Sequence, residues 1–224
     1  MFSVLIQSVV LTSAGLLSVG SITIVILLLL SDQGGRNGLA YMLGYVGGYM
    51  LIGVSVTLVG YTVAEKSSRE PRIFLPLLLI ILGMLLLWLS QRNWRKPPSE
   101  DNTSPRLFSI LDKITPPKAF AFGALVTVIN FKNLAIYLSA VSISLVSDLP
   151  LPSKIIIVFL DALIFCTAVI VPVLIYILFP KQADKILNWI KQALERHSRP
   201  IGIWVPLVFG LIFLIRGISW AIRI

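Results

Sequence analysis

Apolar residues run along this chain in blocks longer than the core helices of a soluble domain need. They cover Val4 to Leu30, Leu39 to Val63, Ile73 to Leu89, Ala119 to Val146, Lys154 to Phe179 and Ile201 to Ile222. A helix crosses hydrocarbon in about 20 residues, so each block is read as one span. The first begins too early and runs too long for a cleaved signal peptide with a basic leading segment, and is read as retained. Between Lys181 and Ser198 the pattern changes. Ile186, Leu187, Ile190 and Leu194 recur at helical spacing against Lys185, Lys191, Glu195 and Arg196, which predicts an amphipathic helix on the membrane surface.

The connections are short and polar. Ser31 to Gly38 is a glycine- and asparagine-rich turn, Glu65 to Arg72 a charged loop, and Ser147 to Ser153 a loop with Pro150 and Pro152. The longest connection carries Pro97, Pro98, Pro105, Pro116 and Pro117, and reads as a linker with at most one helical turn, around Leu107 to Leu111. It divides the chain into residues 1–92, a linker at 93–117, and residues 118–224 with the surface helix at 181–198. The expected fold class is therefore an all-α integral membrane protein, with six transmembrane helices as two inverted three-helix repeats and one amphipathic surface helix before the last span. Three is an odd number of crossings, so two such halves enter the bilayer with opposite orientations.

Composition agrees with a membrane protein. Hydrophobic residues make up 57% and charged residues 13% of the chain, and mean hydropathy is +0.92, outside the range of ordinary soluble domains. The net charge of +9 does not imply a nucleic-acid partner, because the basic residues gather between the apolar blocks. Odd-numbered connections hold twelve of them: Arg36; Arg92, Arg95, Lys96, Arg106, Lys113 and Lys118; Lys181, Lys185, Lys191, Arg196 and Arg199. Even connections and the terminus hold five, namely Lys66, Arg69, Arg72, Lys154 and Arg223. Positive-inside bias makes the odd side cytoplasmic and puts both termini outside a cytoplasmic (inner) membrane. The single cysteine, Cys166, leaves no internal disulfide and no CxxC pair.

Candidate chemistry lies inside the spans. Asn130-Phe131-Lys132-Asn133 places an ammonium and two carboxamides near the middle of the fourth block, where a lysine is expensive and marks a polar pathway or an ion pair. Leu17-Ser18-Val19-Gly20-Ser21-Ile22 in the first block lines up with Ile129 to Leu134, so Ser18 and Ser21 join Asn130, Lys132 and Asn133 as candidate substrate-binding residues. Gly44 and Gly48 in the second block offer a flat packing face, and Pro172 implies a kink in the fifth. Asp161 and Arg216 sit at one level, roughly 10 Å and 9 Å inward at 1.5 Å per residue, while Lys132 is deeper by about 10 Å. Asp161 is therefore expected to pair with Arg216 as a structural ion pair, leaving Lys132 available. No catalytic set, metal cluster or nucleotide loop is visible, no cofactor is expected, and His197, the sole histidine, reads as solvated.

With those motifs in view the chain resembles the GAP family of six-span proteins, which includes the sulfolipid- and glycopeptidolipid-addressing proteins and belongs to the lysine exporter superfamily. The resemblance covers nearly the whole chain. It rests on Ser18-Val19, Gly35-Arg36-Asn37-Gly38-Leu39-Ala40, Gly44 with Gly47-Gly48, and Asn130-Phe131-Lys132-Asn133-Leu134-Ala135. Val19 and Phe131 stand where the family pattern has proline, so the carbonyls that a mid-helix proline would free are not expected here. The resemblance implies export or delivery of a lipid or small amphiphile.

Two functions compete at this point. One is a transporter or transport accessory for a lipid-like or small organic substrate, with Lys132 facing an anionic headgroup or carrying a coupling proton. The other is a non-transporting scaffold for a lipid-synthesis or secretion complex. Either has membrane lipids as partners; homodimerisation stays open, and an enzyme is not expected.

Topology gives the first test. In a Cys166-free background, cysteines introduced at Ser99 and Ser67 should react with an impermeant thiol reagent from opposite sides, Ser99 only from the cytoplasm. Equal labelling of both in intact cells would remove the basis for inverted halves.

Overall fold

The computed structural model describes residues 1–31, 33–66, 71–95 and 114–222. Most of the linker, including Leu107 to Leu111, lies outside the described residues. The chain is all-helical, with no strand among the described residues: α1 (Phe2–Thr12), a 3-10 turn (Ser13–Leu17), α2 (Val19–Leu29), α3 (Gly34–Lys66), α4 (Pro71–Arg95), α5 (Pro116–Ile129), α6 (Phe131–Val146), α7 (Leu151–Leu178) and α8 (Ala183–Ala221). Among these, 34–62 and 151–178 are each long and apolar enough to cross a membrane, and α5 with α6 make a third span if taken together across a bend of 73°. The apolar composition and these helices define a helical membrane protein.

The first apolar block is not one continuous helix. Thr12 donates its hydroxyl to the carbonyls of Ser8 and Val9, both at 3.1 Å, and Ser13 donates to Val10 O at 2.7 Å. Side chains bonding back in this way compete with the helical ladder and bend it. The helix tightens into the 3-10 turn, where Gly15 lies against α7 so closely that a Cβ would come within 2.6 Å of Phe165 O.

Two further expectations need correction. The surface helix and the last span are one helix, α8, which runs through Pro200 and Pro206. The apolar side of its first turns is already occupied by protein: Ala183 and Leu187 are buried in the main core and Ile190 packs against it, so they do not lie on a lipid surface. Each proline removes one backbone hydrogen bond, and the turns on either side carry the helix across the gap. The fifth block likewise runs unbroken through Pro172.

Packing interleaves the two sides of the linker. α3 lies on α5 and α7, α4 on α8, and α1 on α6. The α3/α5 crossing is backbone against backbone. A Cβ on Gly44 would stand 2.0 Å from Phe120 O, and one on Gly123 2.2 Å from Tyr41 O. The flat face anticipated at Gly44 and Gly48 is this contact, since Gly48 abuts Thr127 and Ala124 of α5. Gly83 and Gly210 meet in the same manner where α4 crosses α8.

Gly44→Ala should therefore destabilise the protein by about 1–3 kcal/mol or more, because the obstructing atoms are backbone and cannot rotate away. Gly47, whose Cβ would meet nothing within 4 Å, is the control on the same helix. Gly47→Ala should be neutral or stabilising by up to about 1 kcal/mol. Thermal unfolding in detergent measures both.

Candidate functional site: the meeting of two helix breaks

Both broken helices stop at a polar residue in the same backbone conformation. Ser18, between the 3-10 turn and α2, has φ −79° and ψ 75°; Asn130, between α5 and α6, has φ −80° and ψ 72°. Neither angle pair is helical, so the axis changes direction at each residue and a new helix begins immediately after it. The missing prolines do not prevent this. Val19 and Phe131 occupy the first helical position, where proline is favoured because its absent N–H would have no helical partner anyway. Ser18 and Asn130 are residue types suited to the N-cap itself. Asn130 performs it directly, its Oδ1 accepting the backbone N–H of Asn133 at 3.4 Å.

The two breaks meet. Asn133 donates from Nδ2 to Ser18 Oγ at 2.5 Å, and Tyr45 OH on α3 lies 3.5 Å from the same nitrogen. Ser18 Oγ in turn donates to Ser21 Oγ at 3.0 Å, and Ser21 Oγ and Tyr45 OH are hydrogen-bonded at 3.1 Å. All four side chains are buried, none more than 4% exposed. The starts of α2 and α6 are thus held side by side within the fold by a closed polar cluster drawn from three helices.

Three of the five candidate substrate-binding residues, Ser18, Ser21 and Asn133, belong to this cluster. Asn130 caps α6 at its edge. Lys132, the second residue of α6, is half-buried and has no hydrogen bond or ion pair among the described residues. Tyr45 was not anticipated. Its signal is Tyr41-x3-Tyr45-x3-Tyr49, a four-residue repeat that lays three phenols along one face of α3. The rings touch in series, Tyr41–Tyr45 stacked with centroids 5.9 Å apart and Tyr45–Tyr49 edge to face at 5.0 Å, and the row continues edge to face from Tyr49 to Tyr137 of α6 at 4.9 Å. Phe165 of α7 closes the far end, 4.8 Å from Tyr49 and 5.4 Å from Tyr137.

The expected ion pair is absent. Asp161 on α7 is fully buried, and neither of its carboxyl oxygens has a hydrogen-bond partner. Ser8 stands beside it but donates its hydroxyl to Leu5 O at 3.0 Å. Arg216 is on α8, whose main partner is α4. Equal depth along two helices does not make their side chains neighbours. Lys132 does not pair with Asp161 either. Among the described residues no group of three or more His, Cys, Asp and Glu side chains is placed to hold a metal ion.

A helical membrane protein built around two adjoining helix breaks is the class this geometry defines. A family model described as Sap, sulfolipid-1-addressing protein (SfLAP), matches residues 9–219, and the chain belongs to that family. The match includes both breaks and agrees with the resemblance seen in the motifs. Comparison with curated proteins and with solved structures finds no match.

Two double-mutant cycles test the site's wiring. Asn133→Ala should cost roughly 1–3 kcal/mol, since it removes the amide donor from a buried hydroxyl cluster, and the cycle with Ser18→Ala should show a coupling of about 0.5–3 kcal/mol. Asp161→Asn and Arg216→Ala should instead add within about 0.5 kcal/mol, as residues without a shared contact do. A large coupling in the second cycle would restore the ion pair.

Proposed function

We propose that the chain moves or delivers a lipid-like or small organic substrate across the cytoplasmic membrane, and that the paired breaks at Ser18 and Asn130 are where it engages the substrate's polar part. One observation carries this reading: Asn133 of one broken helix is hydrogen-bonded to Ser18 of the other. A helix interrupted inside a bilayer needs replacement partners for its backbone, so such breaks persist where they line a polar site. Each new helix also begins with N–H groups that the helix itself leaves unpaired, which makes the start of α6 locally positive. Lys132 adds a full charge at the same place. Together they favour an anionic headgroup or carboxylate.

The same observation supports two inverted halves and six spans. Each half starts with a broken helix, the break dihedrals coincide, and Ser18 with Ser21 occupies the register of Asn130 with Asn133. In that reading both termini face outward, and the chain sits with the transporters of the lysine exporter superfamily. The family's printed description, lipid addressing, supports a lipid as cargo. Lys132 is the residue left free for it or for a coupling proton.

The test compares membrane lipids, separated into those reachable from outside and the total, in cells carrying the unaltered chain, no chain, or Lys132→Ala. The Lys132→Ala chain should accumulate at normal levels with unchanged thermal stability, yet give the lipid distribution of cells without the chain. A Lys132→Ala distribution matching the unaltered chain would favour the scaffold role, in which assembly of a partner complex and not Lys132 decides the outcome.

A further inference from the structure

A second polar feature lies where α4 crosses α8. A groove of about 630 Å³ opens there, lined by Met84, Leu87, Trp88, Ser90, Gln91, Trp94 and Arg95 of α4 and by Leu207 of α8. Ligand pockets fall between about 300 and 1,000 Å³. The floor is fixed, because buried Ser90 donates its hydroxyl to Ile203 O of α8 at 2.8 Å. At one end are methionine and leucine. At the other, Trp94 and Arg95 line the wall. Beside the groove, Trp94 meets Trp204 at 6.2 Å, and the Arg92 guanidinium lies over the ring of the lining residue Trp88 at 5.5 Å. No acidic side chain lines the groove among the described residues.

This gradient has the shape of one molecule. Apolar residues suit an acyl chain, tryptophans mark the depth where hydrocarbon gives way to headgroups, and two exposed arginines, Arg95 in the wall and Arg92 on the lining Trp88, suit a phosphate. We propose that the α4/α8 groove binds a phospholipid with an anionic headgroup, its chain along Met84 and Leu87 and its phosphate at Arg92 and Arg95. Trp88 holds Arg92 in place, and a guanidinium stacked on an aromatic face keeps its hydrogen-bonding edge free for a phosphate. The site uses none of the residues at the helix breaks and does not depend on what the chain transports.

Quenching of tryptophan fluorescence tests it. The full chain, with Trp189→Phe and Trp220→Phe so that the remaining tryptophans are Trp88, Trp94 and Trp204, is placed in phosphatidylcholine nanodiscs containing a minor fraction of brominated phosphatidylglycerol or of brominated phosphatidylcholine. Basic residues near anionic lipid contribute about 1 kcal/mol each, so two arginines give a preference on the order of tenfold or more for the anionic lipid. Arg92→Gln with Arg95→Gln should erase the preference while leaving the protein folded, since both side chains are exposed. Leu207→Trp, read by release of bound phosphatidylglycerol in native mass spectrometry, should displace the lipid from the opposite wall. Equal quenching by the two lipids in the unaltered arginine background, or a preference that survives the double arginine change, would overturn the site. So would inorganic phosphate competing as well as the lipid, because the acyl chain would then contribute nothing.

Discussion

A polypeptide in hydrocarbon must satisfy its own backbone, because each unpartnered N–H or carbonyl there costs several kcal/mol. That constraint governs how this chain can be interrupted. It breaks two apolar blocks, and at each break a small polar residue takes the cap position while the ladder resumes at once: Ile22 N bonds Ser18 O at 3.1 Å, and Leu134 N bonds Asn130 O at 2.9 Å. The side chains freed by the change of direction do not face lipid. They satisfy one another, Asn133 to Ser18 to Ser21 to Tyr45. Each break is tolerable partly because the other is beside it.

What could be read from the sequence follows from what sequence patterns encode. Hydropathy and the turn residues gave the order of the apolar blocks, and small residues at four-residue spacing gave the face of α3 that α5 covers. Aligning Ser18 with Asn130 paired the two breaks correctly, because both positions put a short polar side chain in the middle of an apolar run. The breaks themselves were obscured by Val19 and Phe131. A missing proline looks like an intact helix, whereas the decisive chemistry lies one residue earlier, in the serine and asparagine at the N-cap position.

Other features depend on neighbours that spacing alone does not determine. Asp161 and Arg216 share a depth, but only packing shows that α8 rests on α4 and leaves the carboxyl among α1, α6 and α7. The spacing of the α3 tyrosines does not show that Tyr137 and Phe165, from two other helices, extend their row. The amphipathic start of α8 has the periodicity of a membrane-surface helix, and an apolar face that binds protein has the same periodicity. No residue pattern within that segment distinguishes the two.

The glycine crossings bear on how the chain is made. Gly44 on α3 needs Phe120 and Ala124 of α5, and Gly83 on α4 needs Gly210 of α8. A bilayer offers little hydrophobic drive for association, so these close contacts are a large part of what holds one helix to another. During synthesis α3 and α4 enter the membrane before the helices that their glycines pack against. α4 waits longest, because α8 is made after α5, α6 and α7. Assembly is therefore a late event, and a truncation ahead of Ala183 leaves α4 without its principal packing partner.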